Sequence, residues 1–213
     1  MARKPVIVGF ISRKGGVGKT TLAVNVAAAW VEAGRTVELL DIDFQLSAKT
    51  WAGAGAGVLS RIVRPALGDL ARLREAVGRS TAEIIVIDSP PSFANAAIAA
   101  AMIADVAVIP CGPTPLDLAS TRETLGVVDE AREGRGGKPK IFLAPNMVTG
   151  SRLGKELPDA LRDLRAPVLP AIRRRAGLAS SALRGLAIVE AAPRSAGADE
   201  VRALSAAILR RSR

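Results

Sequence analysis

At 213 residues with a formal net charge of +10, the chain is long enough for one domain with a substantial core and short for two. Nearly half of its residues are apolar, which excludes a disordered chain; the absence of His and Tyr, with Cys111 the single cysteine, excludes histidine chemistry, an internal disulfide and a Cys-rich metal site. No apolar run approaches the ~18 residues of a membrane span, and Val6–Ile11 is too short for a secretory leader, so the cytoplasm is the expected compartment.

From the N-terminus onward, short apolar runs alternate with segments of helical period. Strands are expected at Val6–Ile11, Thr36–Leu40, Ile84–Ile87, Val106–Ile109 and Ile141–Ala144, with weaker signals at Val58–Val63 and Val168–Leu169. Helices are expected over Thr20–Ala33, Ala66–Val77, Ala94–Ile103, Leu116–Glu133 and Leu153–Leu164. Gly34, Gly78, Gly134 and Gly136–Gly137 read as helix stops, and Ala52–Gly57 as a loop. Strands that are apolar throughout are those covered on both faces. The pattern is that of a doubly wound α/β domain, a mostly parallel sheet flanked by helices, with residues 1–213 forming one domain.

Between the first strand and the first helix lies Ser12-Arg13-Lys14-Gly15-Gly16-Val17-Gly18-Lys19-Thr20-Thr21. Its glycines let successive N–H groups turn toward an anion beside the positive end of a helix. In a phosphate-binding loop of this spacing, Gly15, Gly16, Val17 and Gly18 surround a phosphate. Lys19 reaches the β- and γ-phosphates of ATP, the Thr20 hydroxyl takes Mg²⁺, and Thr21 lies near the α-phosphate. The generic loop begins with Gly where this chain has Arg13.

Two aspartates, Asp41 and Asp43, follow the second strand at the sheet edge where such folds bind ligand. Asp88 ends the run Glu83–Ile87; an aspartate in that place is either a partner of Mg²⁺ or a helix cap, and beside the loop the metal is the stronger reading. With no histidine, phosphoryl transfer must rest on positioning and charge neutralisation, so slow hydrolysis is expected.

Lys14 is a second lysine that one nucleotide does not require. It resembles the signature lysine of the deviant Walker A group of P-loop ATPases, which includes ParA, MinD and nitrogenase iron protein. Asp41-Ile42-Asp43-Phe44-Gln45 resembles the group's D-x-D-P-Q segment, Asp88-Ser89-Pro90-Pro91-Ser92 its D-x-P-P-S segment, and Pro113-Thr114-Pro115 with Trp51 and Ala104-Asp105-Val106 the short, ParF-like members. The resemblance implies ATP and Mg²⁺ as cofactors and a homodimer when ATP is bound, with Lys14 acting on the partner's nucleotide. It implies Asp43 positioning the attacking water, Asp41 near the metal and Asn146 facing the adenine. Phe44 departs from the group's Pro and reads as a packing residue.

The charge is uneven: residues 152–213 hold 13 Lys/Arg against six Asp/Glu. A basic C-terminal third suggests a polyanion. Arg173, Arg174, Arg175, Arg184, Arg202 and Arg210, with Arg211 and Arg213, are candidates for non-specific contacts to the phosphates of double-stranded DNA. The loop begins so close to Met1 that no DNA-reading helix-turn-helix precedes it, and sequence-specific recognition is not expected. The expected function is therefore a positioning or partition ATPase that is stimulated by DNA and a partner or adaptor protein and associates with the nucleoid. Its cargo, whether plasmid, chromosomal or protein, is not readable. Three alternatives stay open: a MinD-like membrane association through the apolar face of Val201, Leu204 and Ile208, a metabolic ATP-dependent enzyme on the same scaffold, and a nucleotide-gated scaffold with negligible hydrolysis.

Overall fold

A computed structural model describes residues 4–91 and 95–212. Ser92, Ala94 and Arg213, singled out above, lie outside the described residues.

Six parallel strands form one sheet: β1 (Val6–Phe10), β2 (Val37–Asp41), β3 (Val63–Pro65), β4 (Ile84–Asp88), β5 (Val106–Cys111) and β6 (Lys140–Pro145), in the order β3-β2-β4-β1-β5-β6. The first strand is thus central, paired with β4 on one side and β5 on the other. That reversal of strand order opens a crevice at the carboxyl ends of the strands, where open α/β sheets bind ligands. Strands β1, β4 and β5 are buried on both faces, which is why they read as unbroken apolar runs.

One face is covered by α1 (Lys19–Glu32), α2 (Ser47–Gly53), α3 (Leu59–Ile62), α8 (Ala176–Leu183), α9 (Ile188–Ala191) and α10 (Ala196–Ser212). The other carries α4 (Leu70–Arg79), α5 (Asn95–Ile103), α6 (Pro115–Glu133) and α7 (Arg152–Arg162). On the first face Trp30 is fully buried and its indole N–H donates to the Ser205 carbonyl at 3.0 Å, fastening α10 to α1. Val201, Leu204 and Ile208 are each 0% exposed in that seam. The apolar face that a membrane anchor would need is therefore spent on the core.

Several expectations are corrected. Val58–Val63 is not a strand: α3 fills most of it, and β3 begins only at Val63. The helix expected from Ala66 starts at Leu70, because the Asp69 side chain accepts the Arg72 N–H and caps it. Gly78 lies inside that helix rather than ending it. Val168–Leu169 makes a single bridge, Val168 to Leu143, in place of a strand. Ala52 and Gly53 belong to α2, and the turn after them is packed against other backbone, since a Cβ at Gly55 would collide with Arg184 and Gly185.

Candidate nucleotide-binding site

The segment 12–21 leaves the central strand and enters α1. Gly16 (φ +78°) and Gly18 (φ +91°) take left-handed backbone, which only glycine adopts without strain. Gly18 is doubly constrained, because a Cβ there would run into the Asn146 amide. The turn they create leaves the N–H groups of Gly15, Gly16 and Gly18 with no acceptor among the described residues. Free donors beside a helix N-terminus fit an oxyanion.

The two lysines of the loop have different surroundings. Lys19 is 6% exposed, and its ammonium turns back onto the Lys14 carbonyl at 3.2 Å. Burial draws its pKa down, and the carboxylates of Asp88 and Asp43 oppose that. Lys14 stands on the rim with its side chain 35% exposed, donating to Asp117 Oδ1 at 2.5 Å. Arg13, at the position where a glycine is usual, pairs with Glu123 at 2.8 Å, and its N–H donates to Thr124 Oγ1 at 3.1 Å. The start of the loop is thereby moored to α6.

Asp88 ends β4 in register with Phe10 of β1. It is fully buried, and neither carboxylate oxygen meets hydrogen-bond geometry with any described group, although the Thr20 hydroxyl lies close enough to draw its pKa down. Burial dominates and pushes the carboxyl up to about 7. A buried acid with two unsatisfied oxygens next to Lys19 and Thr20 fits a hydrated divalent cation, which would offset its desolvation.

Asp41 has a different task. Its Oδ1 accepts the Asp43 N–H at 3.2 Å and its Oδ2 the Lys49 N–H at 2.9 Å, so it shapes the turn after β2 and holds the start of α2. Burial raises its pKa and those backbone bonds restrain the rise. Asp43 Oδ1 accepts the Gln45 N–H at 2.9 Å, a side-chain turn that shapes the loop after β2. Phe44 does not pack as expected: the turn, with Leu46 at φ +48°, throws it outward, 75% exposed.

Asn146 donates its amide to the Val17 carbonyl at 2.7 Å, which orients the side chain with Oδ1 as a free acceptor. Beyond it lies a cavity of about 220 Å³ lined by Thr21, Trp51, Asn146 and Arg173–Arg175. These three arginines thus border the cavity beside Asn146. Arg175 is further committed to Glu200 through two hydrogen bonds, at 2.6 and 3.1 Å, and the Arg173 N–H donates to the same carboxylate. Arg202 grips Glu32 at 2.7 and 2.8 Å and also reaches Asp199. Arg184 and Arg210 are exposed and make no ion pair among the described residues. Two of the candidate DNA-binding arginines, Arg175 and Arg202, thus spend charge on carboxylates of their own chain.

Two contributors escaped the sequence reading. Ser12 Oγ accepts the Lys14 N–H at 3.2 Å, and Ser89 Oγ donates to the Phe10 carbonyl at 2.8 Å, tying the ends of β4 and β1 under the loop. Asp117, to which the sequence reading gave no role, belongs to the helix start Thr114-Pro115-Leu116-Asp117, whose capping box is present.

The model of the CobQ/CobB/MinD/ParA nucleotide binding domain matches residues 8–188. The chain is 39% identical over 195 residues to the "Maintenance of carboxysome distribution protein A" of Gloeobacter kilaueensis, covering 87% of this chain and 85% of that protein. It is 28% identical over a 242-residue alignment to the "Chromosome-partitioning ATPase Soj" of Thermus thermophilus, covering 96% and 95%. Among solved structures, the septum site-determining protein MinD of Pyrococcus horikoshii, complexed with Mg-ADP, superposes with a TM-score of 0.76 at 23% identity over 96% of each chain, a likeness of fold.

Proposed function

The chain belongs to the CobQ/CobB/MinD/ParA nucleotide-binding family and is an ATPase, and from that footing we propose that it is a single-domain positioning ATPase. It binds ATP·Mg²⁺, pairs with a second copy when ATP is bound, attaches to double-stranded DNA without sequence preference, and releases when a partner protein stimulates hydrolysis. Its place is on the nucleoid, and its cargo is a protein assembly or a DNA molecule, as the names of its relatives suggest.

The observation that carries the reading is the division of labour between Lys19 and Lys14. Lys19 is buried within the cradle of its own chain, whereas Lys14 lies outside it on the rim, where a second copy can be met. The bound nucleotide supplies the γ-phosphoryl group and its metal the charge that offsets the developing anion. The chain's part is to hold: Gly15–Gly18 donate N–H groups to the phosphates, Lys19 neutralises the β- and γ-oxygens, and Thr20 and Asp88 hold the hydrated cation. Asp43 orients the attacking water, and Asn146 accepts from an amino group of the base. An acceptor at that place favours adenine over guanine, which presents a carbonyl there.

Burial of Val201, Leu204 and Ile208 favours DNA over a membrane as the anchoring surface. No helix among the described residues is long and apolar enough to cross a membrane. The test is ATP turnover measured alone, with random-sequence duplex DNA, and with DNA plus the protein encoded beside this chain. Slow basal turnover that rises with DNA and partner supports the proposal; turnover indifferent to both would remove it.

A further inference from the structure

The sheet has a second end. Lys140 opens β6, so it lies at the opposite edge of the parallel sheet from the phosphate loop, about 20 Å away for a six-residue strand. Helix α10 also finishes here: the Lys140 ammonium donates to the carbonyls of Arg211 and Ser212, both at 3.3 Å, and the Arg211 guanidinium donates to the Val168 carbonyl at 2.9 Å. Helix α7 ends beside them, at Arg162.

Between these helix ends lie two grooves, of about 460 and 570 Å³, on either side of Ala166–Pro167, which lines both. Together they are lined by Arg132, Lys140, Arg162, Arg165 and Arg211, against the single carboxylate of Asp129. Arg132 pairs with Asp129 and Arg162 with Asp159 on its own helix, but each guanidinium carries five donors and keeps some of them. Arg165 is the informative member. It stands at φ +56°, just past the end of α7, where a left-handed residue is usually glycine. A long cationic side chain there is retained against backbone preference, the kind of outlier that accompanies function.

We propose that this basin is the surface that takes the phosphate backbone of double-stranded DNA, an assignment that rests on the positioning-ATPase reading above. Surplus cations in paired grooves match a regularly spaced polyanion. The exposed large apolar side chains, Phe44, Ile98, Leu116, Leu153 and Leu183, all lie elsewhere, so the basin has charge without the wedge a bilayer would need. The grooves run along the outer edge of β6, from Lys140 at its start to Pro145 at its end, so a dimer joined through the nucleotide rim carries two basins, one on each copy. Each holds its own duplex segment, and ATP strengthens attachment by coupling them rather than by altering either surface.

The experiment is fluorescence anisotropy of a labelled random-sequence duplex with the full chain in ATP·Mg²⁺, across a salt series. Two variants are compared with wild type: Arg165→Gly, and Arg162→Glu combined with Arg165→Gly. Arg165→Gly relieves the left-handed backbone, so its Tm is at or about 2 °C above wild type. Its DNA affinity nevertheless falls about three- to tenfold and its salt slope by about 1; the double variant loses more on both counts. Basal ATP turnover stays unchanged. Wild-type DNA affinity in the double variant would overturn the basin while leaving the positioning reading intact. A wild-type chain that ignores DNA in ATP, or is retained only on vesicles of phosphatidylglycerol, would overturn both.

Discussion

The Lys14 ammonium sits 2.5 Å from Asp117 Oδ1, and the second oxygen of the same carboxylate is taken by Thr114, through its N–H at 3.1 Å and its hydroxyl at 2.7 Å. Burial pushes the Asp117 pKa up, but the bonds from Lys14 and Thr114 outweigh it and hold the group below the usual carboxylate range. The ion pair joins residues 103 apart and ties the phosphate loop to the start of α6. A Lys14 that serves a partner's nucleotide must first leave Asp117. Lys14→Ala is therefore expected to bind ATP with wild-type affinity by calorimetry and to remain monomeric. Asp117→Asn weakens the hold and lowers the ATP concentration at half-dimerisation, by roughly three- to tenfold for a charge-assisted bond replaced by a neutral one. An unchanged midpoint in Asp117→Asn would show that the pair does not restrain dimerisation.

Gly18→Ala offers a different test of the cradle. The new Cβ meets the Asn146 amide and sits on a left-handed backbone, so the Asn146–Val17 bond and the loop cannot both persist. ATP affinity should fall by at least tenfold while the fold, judged by circular dichroism, survives. Wild-type affinity would mean that the loop binds in another shape.

Asp43→Ala removes the group proposed to orient water and leaves the phosphate cradle untouched. It should accumulate an ATP-bound dimer with turnover reduced by about 10² or more, the scale of a lost positioning group. Turnover at the wild-type rate would transfer that role to another carboxylate.

How much of this was legible is clearest at individual residues. The strand, the glycine turn and the helix around Lys19 are contiguous, and Asp88 ends an unmistakable apolar run, so local pattern sufficed for both. Partnerships across the fold were invisible. Arg202 looked free because Glu32 is 170 residues away, and Arg175 because Glu200 arrives only when α10 packs on α1. Phe44 was read as packing because it is aromatic, yet the turn set by Asp43 and Leu46 exposes it. Helix α3 replaced a strand at Val58–Val63 because six residues interrupted by Ser60 and Arg61 carry too short a pattern to separate the two states.

Asp88 carries a prediction about stability and pH. Burial raises its folded pKa to about 7, well above the usual carboxylate range, so the metal-free fold gains stability from protonation as pH falls and loses it as pH rises through 7. The difference amounts to at most about 4 kcal/mol. Asp88→Asn mimics the protonated acid. In EDTA it should be more stable than wild type by urea denaturation at pH 7.5, with the gap closing toward pH 5. A gap that is constant with pH would place the titration elsewhere.

The central claim is that ATP, and not ADP, joins two copies through the rim that bears Lys14. Sedimentation velocity on the wild-type chain with ATP·Mg²⁺, with ADP·Mg²⁺ and without nucleotide tests it most directly, with Asp43→Ala included to slow turnover. A dimer is expected in ATP alone, persistent in Asp43→Ala and absent in Lys14→Ala. A monomer in ATP for both wild type and Asp43→Ala, or a dimer equally formed in all three nucleotide states, would contradict it.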